Sequence, residues 1–367
     1  MPAATLDFLV KRDDLRVCEA ARGPDPASAA LAPGELQLAI DQFALTANNI
    51  TYAAFGDAMA YWQFFPARDG WGRVPVWGFA DVARSRHERI REGERVYGYF
   101  PMSSHLVVQA DRVGDASFVD AAPHRAKLPP VYNQYQRLGA SHRRALEDAQ
   151  MLFRPLFMTS FVIDDFLARR GFFGAKQIVL SSASSKTSLS LAFLLSRRRG
   201  PRAEVVGLTS PAHRAFVQGT ACYDRIAGYD EVAALPRTPS VYVDMAGNAG
   251  VLGAVHRHFA GELKHSCLVG ATHWEARAAG VAPREALPGP KPELFFAPDH
   301  IRTATQQLGG DAFNAAVAKS WDPFAEAAQR WISVTRHHGE AAVRAAYLEV
   351  LENRALPERG YVLSLRA

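Results

Sequence analysis

The stretch IVLSSASSKTSLSLAF, residues 178–193, joins a short apolar run to a longer one through a polar turn. Ile178, Val179 and Leu180 are typical of a buried β-strand, and the apolar residues after Thr187 recur at helical spacing. In α/β proteins a strand that enters a helix in this way often holds the phosphates of a cofactor, usually on a glycine-rich turn. This turn contains no glycine. Three interpretations are open: a dinucleotide turn without glycines, another kind of phosphate loop, or an ordinary helix start capped by serine.

Strands and helices alternate around this stretch from about residue 150 to residue 290. The pattern predicts strands at 177–180, 203–208, 241–244 and 266–270, with helices at 151–170, 188–198, 211–218 and 250–259. Such an alternation favours a parallel sheet with crossover helices. After a proline-rich piece at 281–293, the pattern predicts helix up to about residue 353 and a terminal strand in RGYVLSL, residues 359–365.

The first 110 residues are predicted to be rich in β-structure. ELQLAIDQFALT (35–46) alternates apolar and polar residues, and ERVYGYFPMSSHLVVQA (94–110) predicts two short strands around a turn with proline. The polar stretch 123–144 is expected to be a long loop.

Composition limits the classes of function. The 367 residues suggest two domains, and 48% hydrophobic with 22% charged residues is typical of a soluble globular protein. The net charge of +5 comes from dispersed arginines without interleaved aromatics, which argues against nucleic-acid binding. Three cysteines without a CxxC pair, no signal-like start and no long apolar run predict a cytoplasmic protein that is not in a membrane.

The order of these segments resembles the medium-chain dehydrogenase/reductase superfamily, in particular its zinc-independent quinone and enoyl reductase branches and a poorly characterised part of them. The segments that carry the resemblance are ALTANNITYAAFGD (44–57), VPVWGFADVARSRHERIREGERVYGY (74–99), the turn at 177–195, and the strand–helix segments at 203–232 and 241–273. The resemblance implies an α/β protein with a β-rich GroES-like catalytic domain and a doubly wound (Rossmann) parallel-sheet domain. The expected boundaries are 1–148 for the catalytic domain, 149–290 for the Rossmann domain and 291–367 for a return to the catalytic domain.

The metal ligands of zinc-dependent relatives are missing from this sequence. Those relatives have a cysteine near position 48 and Gly-His-Glu near 78–80, where this chain has Asn48 and Gly78-Phe79-Ala80. The resemblance therefore implies a mechanism without a metal.

The resemblance makes the turn a candidate site for NADP(H). Backbone N–H groups, serine and threonine hydroxyls and one lysine at a helix N-terminus favour an anion. The P-loop interpretation lacks the G-x-x-x-x-G-K pattern. The strand at 203–208 is followed by TSPAHR (209–214) with no acid, which favours NADP(H) over NAD, and His213 lies near the residues available for the 2′-phosphate. The predicted cofactor-binding residues are Ser182, Ala183, Ser184, Ser185, Lys186, Thr187, Thr209, Ser210, Arg214, Ala246, Gly247, Asn248, Gly270, Ala271 and Thr272.

The reacting side requires a group that donates to a forming oxyanion or enolate. Tyr52 is the first candidate, since reductases of this branch often carry a tyrosine in this segment, and Asn49 is the second. The predicted substrate-pocket residues are Asn48, Tyr132, Tyr135 and Trp274.

These observations predict an NADP(H)-dependent reductase that transfers hydride to a carbonyl or activated alkene. A protein that binds NADPH without catalysis, as a sensor or scaffold, and a lyase or dehydratase with this fold are the alternatives. The expected partners are a small-molecule substrate and a second copy of the chain, paired through the sheet edge near SCLVGA (266–271).

Overall fold

A computed structural model describes residues 4–140, 142–198, 202–269 and 287–366. The chain forms two compact units, one made of residues 1–152 and 333–367 and the other of residues 153–332. The C-terminal range 291–367 is thus divided between the two units at Ile332.

The strands and helices are numbered in chain order. The strands are β1 (Leu6–Lys11), β2 (Cys18–Arg22), β3 (Glu35–Leu45), β4 (Trp71–Arg73), β5 (Pro75–Ser85), β6 (Arg95–Pro101), β7 (His105–Asp111), β8 (Ser117–Asp120), β9 (Gln134–Arg137), β10 (Gln177–Leu180), β11 (Glu204–Thr209), β12 (Arg225–Gly228), β13 (Ser240–Asp244), β14 (Leu263–Leu268), β15 (Glu293–Leu294), β16 (Ser333–His338) and β17 (Arg359–Ser364). The helices are α1 (Ala47–Ala54), α2 (Glu147–Arg169), α3 (Lys186–Ser196), α4 (Arg214–Thr220), α5 (Ala249–Phe259), α6 (Ala297–Leu308), α7 (Gly310–Trp331) and α8 (Gly339–Leu351).

The first unit contains a closed barrel. Its ring runs β3-β5-β6-β9-β8-β7 and closes because β3 also pairs with β7. The register of β3 against β5 shifts at Gln37/Leu38 and at Ile40/Gln42, and irregularities of this kind bend a long strand so that it can pair on both sides. Closure leaves few exposed strand edges. The strand β9 lies within 123–144, so the prediction of a loop there is wrong for these four residues.

The second unit contains a sheet of six parallel strands in the order β12-β11-β10-β13-β14-β15. This order confirms the predicted doubly wound sheet. The strand order changes direction between β10 and β13, because β11 and β12 lie on one side of β10, whereas β13, β14 and β15 lie on the other. In such sheets ligands bind outside the carboxyl ends of the strands at that point. The core on one side is formed by apolar side chains of β10, β11, β13 and α5, among them Val179, Val206, Tyr242 and Val255.

The C-terminal part departs from the sequence prediction. Continuous helix was expected up to about residue 353, but β16 lies between α7 and α8 and pairs in parallel with β17. The segment SVTRHH is mostly polar, and its parallel pairing with β17 determines that it forms a strand. At the edge of the parallel sheet, β15 lies outside β14, so SCLVGA is not the outermost segment.

No helix of the described residues is both long and apolar enough to cross a membrane.

Candidate functional site

The turn after β10 has the backbone shape that glycine usually supplies. Ser182 has φ +50°, in the left-handed region that side chains disfavour. Ser185 caps α3, and its Oγ accepts a hydrogen bond from the Ser188 N–H at 3.2 Å. The chain therefore makes a tight strand-to-helix turn with a serine in the left-handed position.

The turn is fixed to the neighbouring strand β11. The Ala183 N–H donates to the Leu208 carbonyl at 2.9 Å, and the Tyr223 hydroxyl donates to the Ala183 carbonyl at 2.8 Å. A Cβ at Gly207 would lie 2.9 Å from the Ala183 Cβ and 2.7 Å from Tyr223. The glycine that allows a close approach is thus on the adjacent strand, and Ala183 is completely buried against it.

Ser181 joins the ends of β10 and β13, where the strand order reverses. Its hydroxyl donates to Asp244 Oδ1 at 2.7 Å and accepts from the Met245 N–H at 2.8 Å. The same carboxylate oxygen accepts the N–H groups of Ala246 and Gly247 at 3.0 and 3.1 Å. Both Ser181 and Asp244 are buried. The sequence pattern gave no signal for this pair, because a contact across 63 residues depends on the strand order.

The backbone of the predicted cofactor-binding residues after β13 is therefore held by hydrogen bonds to Asp244. Because the amides of Ala246 and Gly247 are directed at its carboxylate, they are not presented to a ligand. Asn248 caps α5 through a 3.1 Å hydrogen bond from the Val251 N–H to its Oδ1.

The end of β11 presents polar groups without an acid. Thr209 is 1% exposed, and no hydrogen-bond partner for its Oγ1 is found in the described part of the chain. Ser210 precedes a short 3₁₀ turn, and the His213 ring at the end of that turn has Nδ1 3.1 Å from the Ser184 hydroxyl. Ser184 and His213 thus connect the two turns that follow β10 and β11.

Arg214, the predicted cation for a 2′-phosphate, is paired within the protein. Its guanidinium lies 2.5 Å from Glu231 Oε2 and donates to the Ile226 carbonyl. This arginine lowers the pKa of Glu231, with a further contribution from the Gly228 N–H. Both side chains are exposed to solvent.

Lys186 and Thr187 form the first turn of α3. The Lys186 ammonium lies 5.9 Å from the Phe153 ring centroid, and its side chain is partly exposed. The Thr187 carbonyl accepts from the Ser160 hydroxyl at 2.7 Å, which ties the helix start to α2.

This donor set suits a bound dinucleotide. Serine hydroxyls, a helix N-terminus and a lysine favour the charge of a pyrophosphate, and the buried Thr209 Oγ1 lacks an acceptor or donor that a ligand would supply. Gly270, Ala271, Thr272 and Trp274 lie outside the described residues.

In the first unit, Tyr52 lies in a cluster of aromatic rings. Its ring centroid is 4.6 Å from that of Tyr61, 5.6 Å from Tyr99 and 6.2 Å from Tyr132. The cluster also contains Phe64, Phe65 and Leu128. Only Tyr52 and Tyr132 were among the residues predicted from the sequence, because the other rings come from separate elements whose proximity depends on the barrel.

The Tyr52 hydroxyl is buried among polar groups. Burial has the largest influence on its pKa and raises it above the ordinary value for tyrosine. Hydrogen bonds with Trp77, Asn48 and Tyr132 act in the opposite direction. Because the net shift is upward, the phenol stays protonated at neutral pH and can act as a donor.

Asn49 and Tyr135 lie in structural positions. Asn49 Oδ1 accepts from the Thr46 N–H at 2.7 Å at the start of α1, and Asn49 Nδ2 donates to the Pro75 carbonyl at 2.9 Å, so the side chain joins the start of α1 to the start of β5. Tyr135 is fully buried, is stacked on Phe118, and donates to the Tyr99 carbonyl.

Within the described ranges, no three His, Cys, Asp or Glu side chains are grouped so that they could hold a metal ion.

Comparison with family models relates the chain to one family. The model described as "Protein of unknown function (DUF2855)" matches residues 43–355, which is most of the chain. The chain belongs to the DUF2855 family. A comparison of the DUF2855 chain with curated proteins gives no significant match.

Solved structures share the fold of the DUF2855 chain. CurA from Vibrio vulnificus in complex with NADPH is similar over 99% of both chains, with a TM-score of 0.64 and 12% identity. The yhdH oxidoreductase from Salmonella enterica in complex with NADP is similar over 100% of both chains, with a TM-score of 0.53 and 14% identity. A mutant form of enoyl thioester reductase from Candida tropicalis is similar over 99% of this chain and 100% of its own, with a TM-score of 0.57 and 8% identity. These similarities confirm the resemblance to medium-chain reductases at the level of the fold.

Proposed function

We propose that this protein is an NADP(H)-dependent reductase that transfers hydride to a carbonyl or an activated alkene without a metal. The observation that carries the proposal is the polar turn of residues 181–186 at the end of β10, next to the point where the strand order reverses. That point is where doubly wound sheets bind dinucleotides. The names of similar structures mention NADPH, NADP and an enoyl thioester reductase, which supports the same class of reaction.

In this proposal the second unit binds the cofactor, which supplies the hydride when bound. The hydroxyls of Ser182, Ser184 and Ser185 would donate hydrogen bonds to the pyrophosphate, and the start of α3 would contribute N–H groups and the charge of Lys186. Thr209, Ser210 and His213 would hold the adenosine end, where the absence of an acid favours a 2′-phosphate over a free 2′-hydroxyl.

The first unit supplies the proton donor. Tyr52 is our choice because its phenol is kept neutral by burial and lies beside Asn48 and Tyr132, which would orient a polar acceptor. We assign Asn49 to positioning α1, since one of its polar ends caps this helix and the other joins it to Pro75 of β5.

Binding of nucleotides tests the cofactor. We expect NADPH fluorescence to increase on titration with the protein, with an affinity at least tenfold higher than that of NADH. If neither nucleotide binds, the cofactor assignment is wrong. If NADH binds more tightly, the choice of NADP(H) is wrong.

Turnover tests the reaction. We expect consumption of NADPH with at least one member of a panel of quinones, enones, enoyl thioesters and aldehydes. Tyr52→Phe should then lower kcat by about tenfold or more, because general acids contribute at least this much. Tyr361→Phe, a tyrosine of the same unit outside the aromatic cluster, is the matched control. Tight NADPH binding without turnover would favour the sensor alternative.

We further propose a cytoplasmic homodimer. The two-residue edge strand β15, with Leu294 69% exposed, leaves a short open sheet edge that a second copy can cover. Light scattering after size exclusion at micromolar concentration tests this, and a monomer mass would exclude the dimer.

A further inference from the structure

The first unit contains a cavity that is separate from the residues assigned to catalysis. Its volume is about 260 Å³, just below the usual range of about 300–1,000 Å³ for ligand sites. Phe64 and Phe65 form part of its wall, together with Arg73, Asp120, His124 and Arg125. Tyr52, Asn48 and Asn49 do not line it.

Arg125 is an unusual wall residue because it is 1% exposed. Its guanidinium lies over the Phe65 ring at 4.7 Å, and Asp120 Oδ2 is 3.2 Å from its Nε. Within the described chain, neither Nε nor Nη1 of Arg125 has an acceptor in hydrogen-bonding geometry. The other oxygen of Asp120 already accepts the N–H groups of Gln109 and Ala122.

Arg73 repeats this feature on the same cavity. Its Nη2 donates to the Pro66 carbonyl at 2.7 Å and its Nη1 lies 3.4 Å from Asp7. Its Nε is buried, with no acceptor among the described residues. Arg125 Nη1 and Arg73 Nε thus have no acceptor among the described residues, and Arg125 Nε has only its ion-pair contact with Asp120.

Such donors favour a bound acceptor. A buried polar group without a partner costs about 1–3 kcal/mol, and a planar guanidinium matches the two oxygens of a carboxylate. The cavity lining contains two arginines and a single carboxylate, Asp120, and a second carboxylate, Asp7, lies 3.4 Å from Arg73. The charge of the lining side chains themselves therefore favours an anion.

The aromatic wall selects the rest of the ligand. The rings of Phe64 and Phe65 line the cavity and lie beside the Arg125 guanidinium. We propose that this cavity binds a small organic carboxylate with an aromatic or other apolar body. Phe64 and Phe65 also pack against Tyr99 of the aromatic cluster, so the ligand would touch rings that continue towards Tyr52.

Calorimetric titration of the full chain without nucleotide tests the proposal, so that its result does not depend on NADPH binding. The probe is benzoate, compared with benzyl alcohol, which lacks the charge, and with inorganic phosphate, which lacks the ring. We expect saturable, sub-millimolar benzoate binding, with both comparison compounds at least tenfold weaker.

Two variants locate the binding. Arg73→Gln, a partly exposed side chain, should weaken benzoate binding at least fivefold, whereas Arg89→Gln on the exposed surface of the same unit should not. The double variant Asp120→Asn/Arg125→Gln removes the buried pair together and should abolish binding, with circular dichroism as the check on folding.

Two results would overturn the proposal. Absent or unsaturable benzoate binding, or binding that is unchanged in Arg73→Gln, would mean that water alone satisfies the guanidinium groups. Phosphate binding as tight as benzoate binding would exclude the apolar carboxylate as the ligand class.

Discussion

Lys186 is the residue whose charge distinguishes this turn from a glycine-rich one. It begins α3, where the helix dipole and the side-chain charge both favour an anion. We expect Lys186→Ala to weaken NADPH binding about fivefold to tenfold, since a hydrogen bond to a charged group contributes ~1–2 kcal/mol at a partly exposed site. Titration of NADPH fluorescence measures the change.

Lys176→Ala is the control for this prediction. Lys176 lies at the opposite end of β10, and its side chain is exposed. Equal affinities of the wild type and Lys186→Ala would mean that the turn is only a capped helix start.

Single residues were the hardest part of the site to predict from the sequence. The serine-rich turn and the missing acid were visible in the sequence, because both are local patterns. The roles of Ser181 and Asp244 were not, since they depend on two strands that become neighbours only in the sheet. Asn49 was predicted from the sequence as a second donor to the reacting group, whereas the structure shows its side chain bonded to Thr46 and Pro75.

At the scale of elements, the turn depends on how closely β11 approaches it. Gly207→Ala would place a Cβ 2.7 Å from Tyr223 and 2.9 Å from Ala183, so one of them must move. We expect a loss of ~1–3 kcal/mol in the free energy of unfolding, as for other overpacked sites, together with weaker NADPH binding. Urea unfolding and nucleotide titration measure the two effects.

Gly219→Ala provides the contrast within the same unit. Gly219 lies in α4, and no described atom comes within 4 Å of the point that an alanine methyl group would occupy there. Alanine should therefore leave the free energy of unfolding unchanged or raise it. If the two variants behave alike, close approach at Gly207 does not hold the turn.

The start of α2 carries a buried charge network with the barrel. Glu147 and Arg95 are 4% and 9% exposed, and their side chains form two hydrogen bonds at 2.7 and 2.8 Å. Burial alone would raise the pKa of Glu147, but the hydrogen bonds from Arg95 and His142 outweigh it and the net shift is downward. A lowered pKa contributes stability above the unfolded-state value of about 4.3, and this contribution disappears as the pH falls through the folded-state value.

Glu147→Gln should therefore reduce the free energy of unfolding at pH 7 by ~2 kcal/mol, less than for a simple buried pair because Arg95 also contacts Asp41 and Asp81. The difference from the wild type should shrink as the pH falls below the unfolded-state value of about 4.3 and through the lower folded-state pKa of Glu147. Urea unfolding at several pH values measures it, and the fully exposed Asp115→Asn is the control. A difference that does not vary with pH would contradict the assigned pKa shift.

The elements themselves were largely predictable where their patterns are long and regular. The alternation of strands and helices predicted the parallel sheet, because each buried strand is a continuous apolar run. The short strands β9 and β16 were missed, since polar residues make up most of QYQR and SVTRHH. Their pairing partners, and not their own composition, determine their structure.

At the scale of the whole molecule, cofactor binding should increase the thermal stability of the protein. A ligand at a concentration of 100 Kd stabilises the folded state by about 2.7 kcal/mol, which corresponds to an increase in Tm of about 5–10 °C for a unit of this size. We expect NADPH to produce this shift in the calorimetric transition of the second unit. The same concentration of NADH should produce a smaller increase in Tm. Equal increases would contradict the inference that the missing acid after β11 favours NADP(H) over NAD.

The ion pair of Arg214 and Glu231 affects the discrimination between NADPH and NADH. Any phosphate that approaches Arg214 competes with the Glu231 carboxylate, which already pairs with the guanidinium. The preference for NADPH over NADH therefore depends on how much more strongly Arg214 binds the 2′-phosphate than it binds Glu231. Because the pair is exposed, the exchange costs little. The variant Glu231→Gln would remove the carboxylate that competes for Arg214. It would increase the preference for NADPH over NADH without any change in the turn that binds the pyrophosphate.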